Sequence, residues 1–371
     1  MSLIDGEPDR QSYASAREAA WQAMAISSHA RHLRGIKSTR TSSRITAKKV
    51  TDPMEIEISE VLEHLRRPLP SDPVLEFIVS EDGYKKIIEE RKKSNRKVSY
   101  DGQSRTVIIC FPTHLHEEAG EMVIDSMVNE VVRMLQIAGV GDAILSRIRR
   151  AGHVTITNCS RERSYKEPDG LIIFDDGESD NANRIVLEVG FSQTYSSLMR
   201  ACLRWIEQGE APVVVSLCMT ENHKSSGAAS QIFRTVEDRD AQKQRYIDAF
   251  NTQRRQEHCP LGPLVYNGYT WFGTLRDAFF ESYRETDSGV VKSEPVYLLK
   301  DGVDVSDAIP RDLRGIKVGD FVPYNWLSDD VLRRSAVNFL RPQTFMQMLS
   351  NAIFRTALNR VKSTFGLEEL L

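Results

Sequence analysis

The chain has no long apolar run. Its longest, Val213 to Met219, is interrupted by Ser216, and it falls far short of the roughly 20 residues a bilayer-spanning helix needs. The opening MSLIDGEPDR is acidic and polar and lacks the apolar stretch of a secretory signal. No membrane association is expected. An intracellular protein is, nuclear or cytoplasmic. Cysteine is also scarce: Cys110, Cys159, Cys202, Cys218 and Cys259 are odd in number and scattered, with no CxxC pair. That excludes a disulfide framework and a cysteine zinc cluster, and it fits a reducing compartment. Cys202 and Cys218 lie in apolar runs and read as small buried hydrophobes. No GxxxxGK[ST], GxGxxG or GxSxG occurs, which disfavours a P-loop, a dinucleotide fold and a lipase-type elbow. A large charge of one sign is missing as well. Lys and Arg number 49 against 52 Asp and Glu, a formal net charge of -3. The chain is therefore not basic all over, although a local basic groove remains open to it.

What is present is enough apolar residue, 40% of 371, to bury a sizeable core in one large domain or two ordinary ones. Residues 1–50 read as a separate arm. Within it, Arg31, Arg34, Lys37, Arg40, Arg44, Lys48 and Lys49 follow one another with no acid between them. Such a run is a solvated, disordered arm, or else an electrostatic contact to nucleic acid or a nuclear import signal. Residues 51–112 form a helical extension, with helices expected over Ile56–Arg66 and Val74–Lys93 and one strand over Thr106–Phe111. The basic run from Arg91 to Lys97 is either a solvated helix end, where cations suit the dipole, or a second phosphate contact.

Residues 113–222 carry the clearest pattern. Ile124, Val128, Val131 and Leu135 make an apolar stripe on a helix from His114 to Ala138. A short helix, Asp142–Arg150, follows. Strands are expected at His153–Thr157, Leu171–Phe174, Arg184–Val189 and Val213–Met219. An amphipathic helix, Thr194–Gln208, separates the last two, a crossover of the length a parallel βαβ unit needs. Residues 223–371 form an accessory region. It holds a charged helix over Gln231–Gln256 and a β-like start at Tyr269 whose later half, to Glu285, also suits a helix. Strands are expected at Pro295–Leu299 and Ile316–Val322. A C-terminal amphipathic helix, Gln343–Lys362, offers a face for a protein partner or for self-association. The overall expectation is α/β.

Two acids stand out, Asp169 in PDG and Glu188 in LEVG. Glu188 lies in the apolar strand RIVLEVG. A lone carboxylate there needs a counter-cation, a metal or a raised pKa. Asp169 precedes the neighbouring strand, close enough in a hairpin to share one site. Two converging carboxylates make a hard-oxygen site suited to Mg2+ or Mn2+. Each acid has a plainer reading: Asp169 as a turn cap, and Glu188 as an exposed acid or one paired with Arg184 or Arg200.

Pro168–Asp169, Glu188 and the elements around them resemble the PD-(D/E)xK nuclease superfamily, the restriction-endonuclease-like fold, over roughly residues 113–222. EVGFSQT is also similar to the EVxS segment of members with a degenerate third motif position, including ones widespread in fungi. The resemblance implies a mixed sheet flanked by helices, with Asp169 and Glu188 holding a metal. It also implies a lysine at position 190 to help position and deprotonate water, but Gly190 stands there and no lysine occurs from Glu167 to His223. Substitutes are Gln193, which orients water without charge, Arg200 or Arg204 on the following helix, and Lys166 three residues before Asp169. An arginine would act only electrostatically, since it keeps its proton. Some relatives add a glutamate from the first helix. Glu121 and Glu130 are the candidates, and Glu130 is preferred for its central place among apolar neighbours.

Plainer readings compete here too. Ser192 and Gln193 suit a helix cap, Arg200 and Arg204 suit surface ion pairs with Glu207, and Trp205 suits the core. His114 and His116, just before two acids, read as a helix N-terminus and not as a metal motif. The expected function is metal-dependent hydrolysis of phosphodiester bonds in nucleic acid. The alternative is an inactive nuclease-fold module that binds nucleic acid or a protein. If the Arg31–Lys49 run touches nucleic acid, deleting residues 1–50 weakens DNA or RNA binding and flattens its dependence on salt. An unaltered slope of log affinity against log salt makes the arm a bystander.

Overall fold

The computed structural model describes residues 53–66, 74–91, 97–102, 104–110, 112–151, 156–159, 164–177, 183–191, 193–222, 239–254, 260–305 and 315–364. The basic arm Arg31–Lys49, the middle of the Arg91–Lys97 run, and Ser192 lie outside them. The chain is mixed α/β, built on two sheets. Helix α1 (Pro53–Arg66), strand β1 (Val74–Ile78), helix α2 (Glu81–Arg91) and strands β2 (Lys97–Asp101) and β3 (Thr106–Cys110) come first. Helix α3 (His114–Ile137), helix α4 (Asp142–Leu145) and strand β4 (Ile148–Ala151) follow. Strands β5 (Ile156–Cys159), β6 (Ser164–Lys166), β7 (Gly170–Phe174) and β8 (Asn183–Phe191) come next, then helix α5 (Tyr195–Glu207) and strand β9 (Val213–Asn222).

β1, β2, β3, β5 and β6 form an antiparallel five-stranded sheet in the order β1-β3-β2-β6-β5. Val98, Tyr100, Val107 and Ile109 bury one face of it against Val61 and Leu65 of α1 and Ile87 of α2. Side chains alternate faces along a strand, so Lys97, Ser99 and Asp101 of β2 turn the other way. β5 and β6 follow α3 in the chain yet return to this first sheet. The segment PDG is thus the passage from one sheet to the other.

The second sheet has eight strands. After helix α6 (Arg239–Arg254) come β10 (Leu264–Tyr266), β11 (Tyr269–Phe272), β12 (Thr274–Thr286), β13 (Gly289–Lys292), β14 (Val296–Lys300) and β15 (Val303–Asp304). The order β15-β14-β12-β9-β8-β7-β4 has β13 beside β12, while β10 and β11 pair separately. Only β8 and β9 run parallel among these pairs, joined by α5 as the crossover pattern implied. The β-branched runs of β8 and β9 are buried on both faces, as a central parallel pair requires. α3 covers one face, over Ile185, Leu187 and Val189. α5 covers the other, with Leu198, Cys202 and Trp205 against Val186, Val214 and Cys218.

The chain closes with α7 (Val318–Phe321), α8 (Asp330–Arg334) and α9 (Pro342–Thr364). The apolar face of α9, with Phe345, Leu349, Ile353 and Val361, is buried in the chain's own core. The stripe considered for self-association is thus already covered.

Several expected elements differ. Val74–Lys93 is not one helix. Val74 to Ile78 pair with Cys110 to Thr106, and a helix begins only after Ser80, whose hydroxyl accepts from Gly83 N at 3.1 Å. A short apolar run fits either period until a partner strand decides. Asp142–Arg150 stops as a helix at Leu145, and Ile148–Ala151 become the edge strand paired with β7. The later half of Tyr269–Glu285 is strand, because β12 pairs along β9 from Thr274 to Arg284. Ile316–Val322 yields only a bridge, Lys317 with Ala336, and the short α7.

Among the described residues no helix is long and apolar enough to cross a membrane. One buried contact ties α9 to the central sheet: Arg360 grips both carboxylate oxygens of Glu221 at 2.8 Å, with the Glu221 side chain only 3% exposed. Arg360→Met leaves that carboxylate buried without its cation. Unfolding in urea is expected to show a loss of about 3–5 kcal/mol. A loss below about 1 kcal/mol would show that the pair does not hold the two elements together.

Candidate functional site

Asp169 stands at the passage between the sheets, and its backbone N donates to Leu187 O at 3.1 Å, extending the β7–β8 ladder. Its carboxylate gathers three elements. Oδ1 accepts from Lys97 Nζ at 2.6 Å. Oδ2 accepts from Val189 N at 2.7 Å and lies 3.2 Å from His116 Nε2. Asp169 is thus more than a turn cap: it joins β2, β8 and the first turn of α3. Burial alone would raise its carboxyl pKa, but His116 and Lys97 outweigh that and hold it well below the usual carboxylate range. In return, Asp169 more than offsets the burial of the Lys97 ammonium, and Glu188 and Glu117 add to the effect, so the Lys97 pKa is raised.

Glu188 points to the α5 face, 5% exposed. Its Oε1 accepts from Lys166 Nζ at 2.8 Å and from the indole N–H of Trp205. Lys166 Nζ also lies 4.9 Å from the Trp205 ring centre, a cation–π placement. Trp205 is core, as its plainer reading had it, and also a donor to the acid. Burial pushes the Glu188 carboxyl up. Lys166 opposes that shift and the negative charge of Asp169 adds to it. The two carboxylates therefore feel each other across one strand pair. Among the described residues Oε2 of Glu188 accepts no hydrogen bond.

Both lysines come from the first sheet: Lys97 begins β2 and Lys166 ends β6. A further ion pair between the sheets joins Arg204 of α5 to Asp101 of β2. Gly190 is closed to a side chain. A Cβ there would stand 2.6 Å from Leu198 Cδ2 and 3.3 Å from Gln193 Nε2. A lysine at 190 would have to push the Leu198 side chain of α5 aside, and the cations approach from the opposite sheet instead.

The other expected residues fall elsewhere. Gln193 lies beside Gly190, half-buried, and α5 is capped by Thr194, whose hydroxyl accepts from Ser197 N at 3.2 Å. Arg200 is exposed on α5, with Nε donating to Ser196 O at 3.4 Å, and does not touch Glu188. Arg184 donates to the carbonyls of Asp320 and Gly319, so it does not serve Glu188 either. Arg204 serves Asp101 and not Glu207. Glu130, the preferred helix acid, is clasped by Arg133, Nε to Oε2 at 2.9 Å. It lies fourteen residues beyond His116, about 21 Å along the helix axis. A central apolar neighbourhood marked it as buried, but burial does not fix height along a helix.

Glu117, Glu118 and Glu121, near the start of α3, line the cleft opening onto Asp169. The cleft measures about 410 Å³ and is walled also by Lys97, His116 and Arg150. Glu188 and Lys166 lie outside its lining. His116 Nδ1 is buried with no hydrogen-bond partner among the described residues. Among those residues no group of three or more His, Cys, Asp and Glu side chains stands together as a ready metal cluster.

Sequence reasoning missed Lys97, Glu117 and the second role of His116. Lys97 is 72 residues from Asp169, at the end of a basic run taken as a helix terminus. It also missed a second buried acid. Glu281 of β12 pairs across Ser216 from Glu188. Tyr195 of α5 at 2.9 Å, Tyr283 at 3.0 Å and Lys292 at 2.8 Å hold it. No protein-family model matches the chain, and no curated protein matches it.

The Asp169 ion pair carries a sign for pH. Its folded carboxyl pKa is depressed, so its contribution is present above the ordinary value of 3.8 and is lost as pH falls below it. Urea unfolding between about pH 6 and about pH 2 is expected to show a steeper acid loss for the wild type than for Asp169→Asn, by on the order of 2 kcal/mol. Equal slopes would mean that the carboxylate is not held by these cations.

Proposed function

We propose that the chain is a metal-dependent nuclease of the PD-(D/E)xK kind, with a restriction-endonuclease-like core, that hydrolyses phosphodiester bonds in nucleic acid. The observation that carries this reading is that Asp169, just before β7, and Glu188, on β8, feel each other's charge and are each paired with a lysine, Lys97 and Lys166, where position 190 has none. Mg2+ or Mn2+ suits the donor set. Both acids are hard oxygen donors, Glu188 keeps one oxygen without a hydrogen bond among the described residues, and magnesium commonly takes only one or two protein carboxylates. Asp169 and Glu188 would hold the ion, which when bound supplies Lewis-acid polarisation of a phosphate and activation of water.

The lysines do the rest. In the ion's absence each ammonium neutralises one carboxylate. With the carboxylates engaged, Lys97 is free to face the phosphate at the cleft and offset charge that grows in the transition state. Lys166, held over the Trp205 ring, orients Glu188 from behind. Gln193 and Arg200 take no part in this scheme.

A second reading rests on its own observation: two carboxylates matched by two lysines are charge-balanced without any added ion. A module that kept this fold as a binding platform would show that arrangement. Purified full-length protein with Mn2+ or Mg2+ is expected to nick plasmid or degrade oligonucleotides. Glu188→Ala and Asp169→Asn are each expected to lower the rate at least about 100-fold, and Lys97→Met by about 10²–10³-fold. No cleavage across divalent ions, with nucleic acid still bound, would leave the binding module standing.

A further inference from the structure

Two arginines reach the cleft from separate elements and end on the same exposed side of α3. Arg150, on the edge strand β4, contacts Glu121 Oε1 at 2.8 Å and Asp125 Oδ1 at 2.9 Å. Arg355, on α9, contacts Glu118 Oε1 at 2.8 Å. Both line the cleft that opens onto Asp169. Their side chains are 40% and 59% exposed. Solvated ion pairs of this kind contribute about 0–1 kcal/mol, so the fold does not depend on them. A planar guanidinium held this loosely by a carboxylate can exchange it for a phosphate, which offers the same two-oxygen geometry.

Charge within the cleft sharpens the point. Asp169, Glu117, Glu118 and Glu121 line it, against full cations on Lys97, Arg150 and Arg355. With the arginines parked on acids of α3 and Lys97 on Asp169, each lysine and arginine of the lining is already paired. A polyanion can enter only if the arginines let go of α3 and a divalent ion answers the acids deeper in.

We infer that Arg150 and Arg355 are the backbone-phosphate contacts of a nucleic-acid strand lying across the cleft, and that Glu121 and Glu118 hold them when no strand is bound. This rests on the nucleic-acid reading above and deepens it. The contacts are to phosphate, so the strand is held without regard to sequence. The glutamates act as competitors of the substrate, and strand binding depends on a divalent cation.

The test is fluorescence anisotropy of the full-length protein with labelled single-stranded and duplex oligonucleotides, in Mg2+ or in EDTA, over a salt series. Arg150→Gln and Arg355→Gln are each expected to weaken binding about five- to tenfold and to lower the salt slope by about one. Thermal melting is expected to stay within about 2 °C of wild type, which separates lost contacts from lost fold. The double variant Glu118→Gln/Glu121→Gln is expected to tighten binding several-fold and to relieve the need for Mg2+. A merely structural role for these glutamates would not produce that gain. Arginine variants that bind like a binding-competent wild type, with the same salt slope, would overturn this inference and leave the nuclease reading intact. So would glutamate variants that bind more weakly. A wild type that neither binds nor cuts nucleic acid with any divalent ion would overturn both.

Discussion

Two carboxylates, Asp169 and Glu188, are drawn out of water on neighbouring strands, and the chain answers each with a lysine from its other sheet. An ionised carboxylate without a partner in such surroundings costs several kcal/mol. The pairs Lys97–Asp169 and Lys166–Glu188 are therefore a condition for this arrangement. They also fix how the two sheets meet. The face of β2 that turns away from its own helices carries Lys97 toward Asp169 and Asp101 toward Arg204. The passage between the sheets, residues 167–169, runs directly between the two ion pairs.

That constraint accounts for the glycine at 190. The face of β8 bearing Glu188 is roofed by α5, and Leu198 lies where a side chain at 190 would begin. The cations instead arrive from β2 and β6 of the other sheet. The two acids respond differently to the same burial. Asp169 has a lysine, a histidine and a backbone N–H and sits well below the ordinary range. Glu188 has one lysine and an indole, with a neighbouring negative charge against it, and its carboxyl is pushed up. A pair of acids separated in this way by environment is a common mark of a functional site, although structural ion pairs do the same.

α5 depends on a second buried charge. It lies across a row formed by Glu188, Ser216 and Glu281 on three adjacent strands. Trp205 near its C-terminal end donates to the first acid, and Tyr195 at its N-terminal end donates to the last. Moving α5 would break both contacts at once. The helix that closes position 190 is in this way one of the more firmly held parts of the site. Arg150 and Arg355 in the cleft lining are tied to α3, among the described residues, by partly solvated ion pairs.

Much of this was open to inspection in the sequence. The apolar stripe of α3, the β-branched runs of β8 and β9, the crossover helix between them and the lone acid in an apolar strand follow from side-chain periodicity, which is local. So does the pairing of PDG with LEVG, since consecutive strands joined by one polar turn commonly lie side by side. Lys166 lay within reach for the same reason. What the sequence by itself determined is therefore what neighbours in the chain decide: which runs are strands or helices, and which polar group is stranded among apolar ones. Tertiary structure alone decided which cation answers it. β5 and β6 return to the first sheet, which brings Lys97 to Asp169 from 72 residues away, while Glu130, central on its helix, stands too far along the axis to help. Charge compensation acts through space over a few ångströms, and distance along the chain holds no record of it.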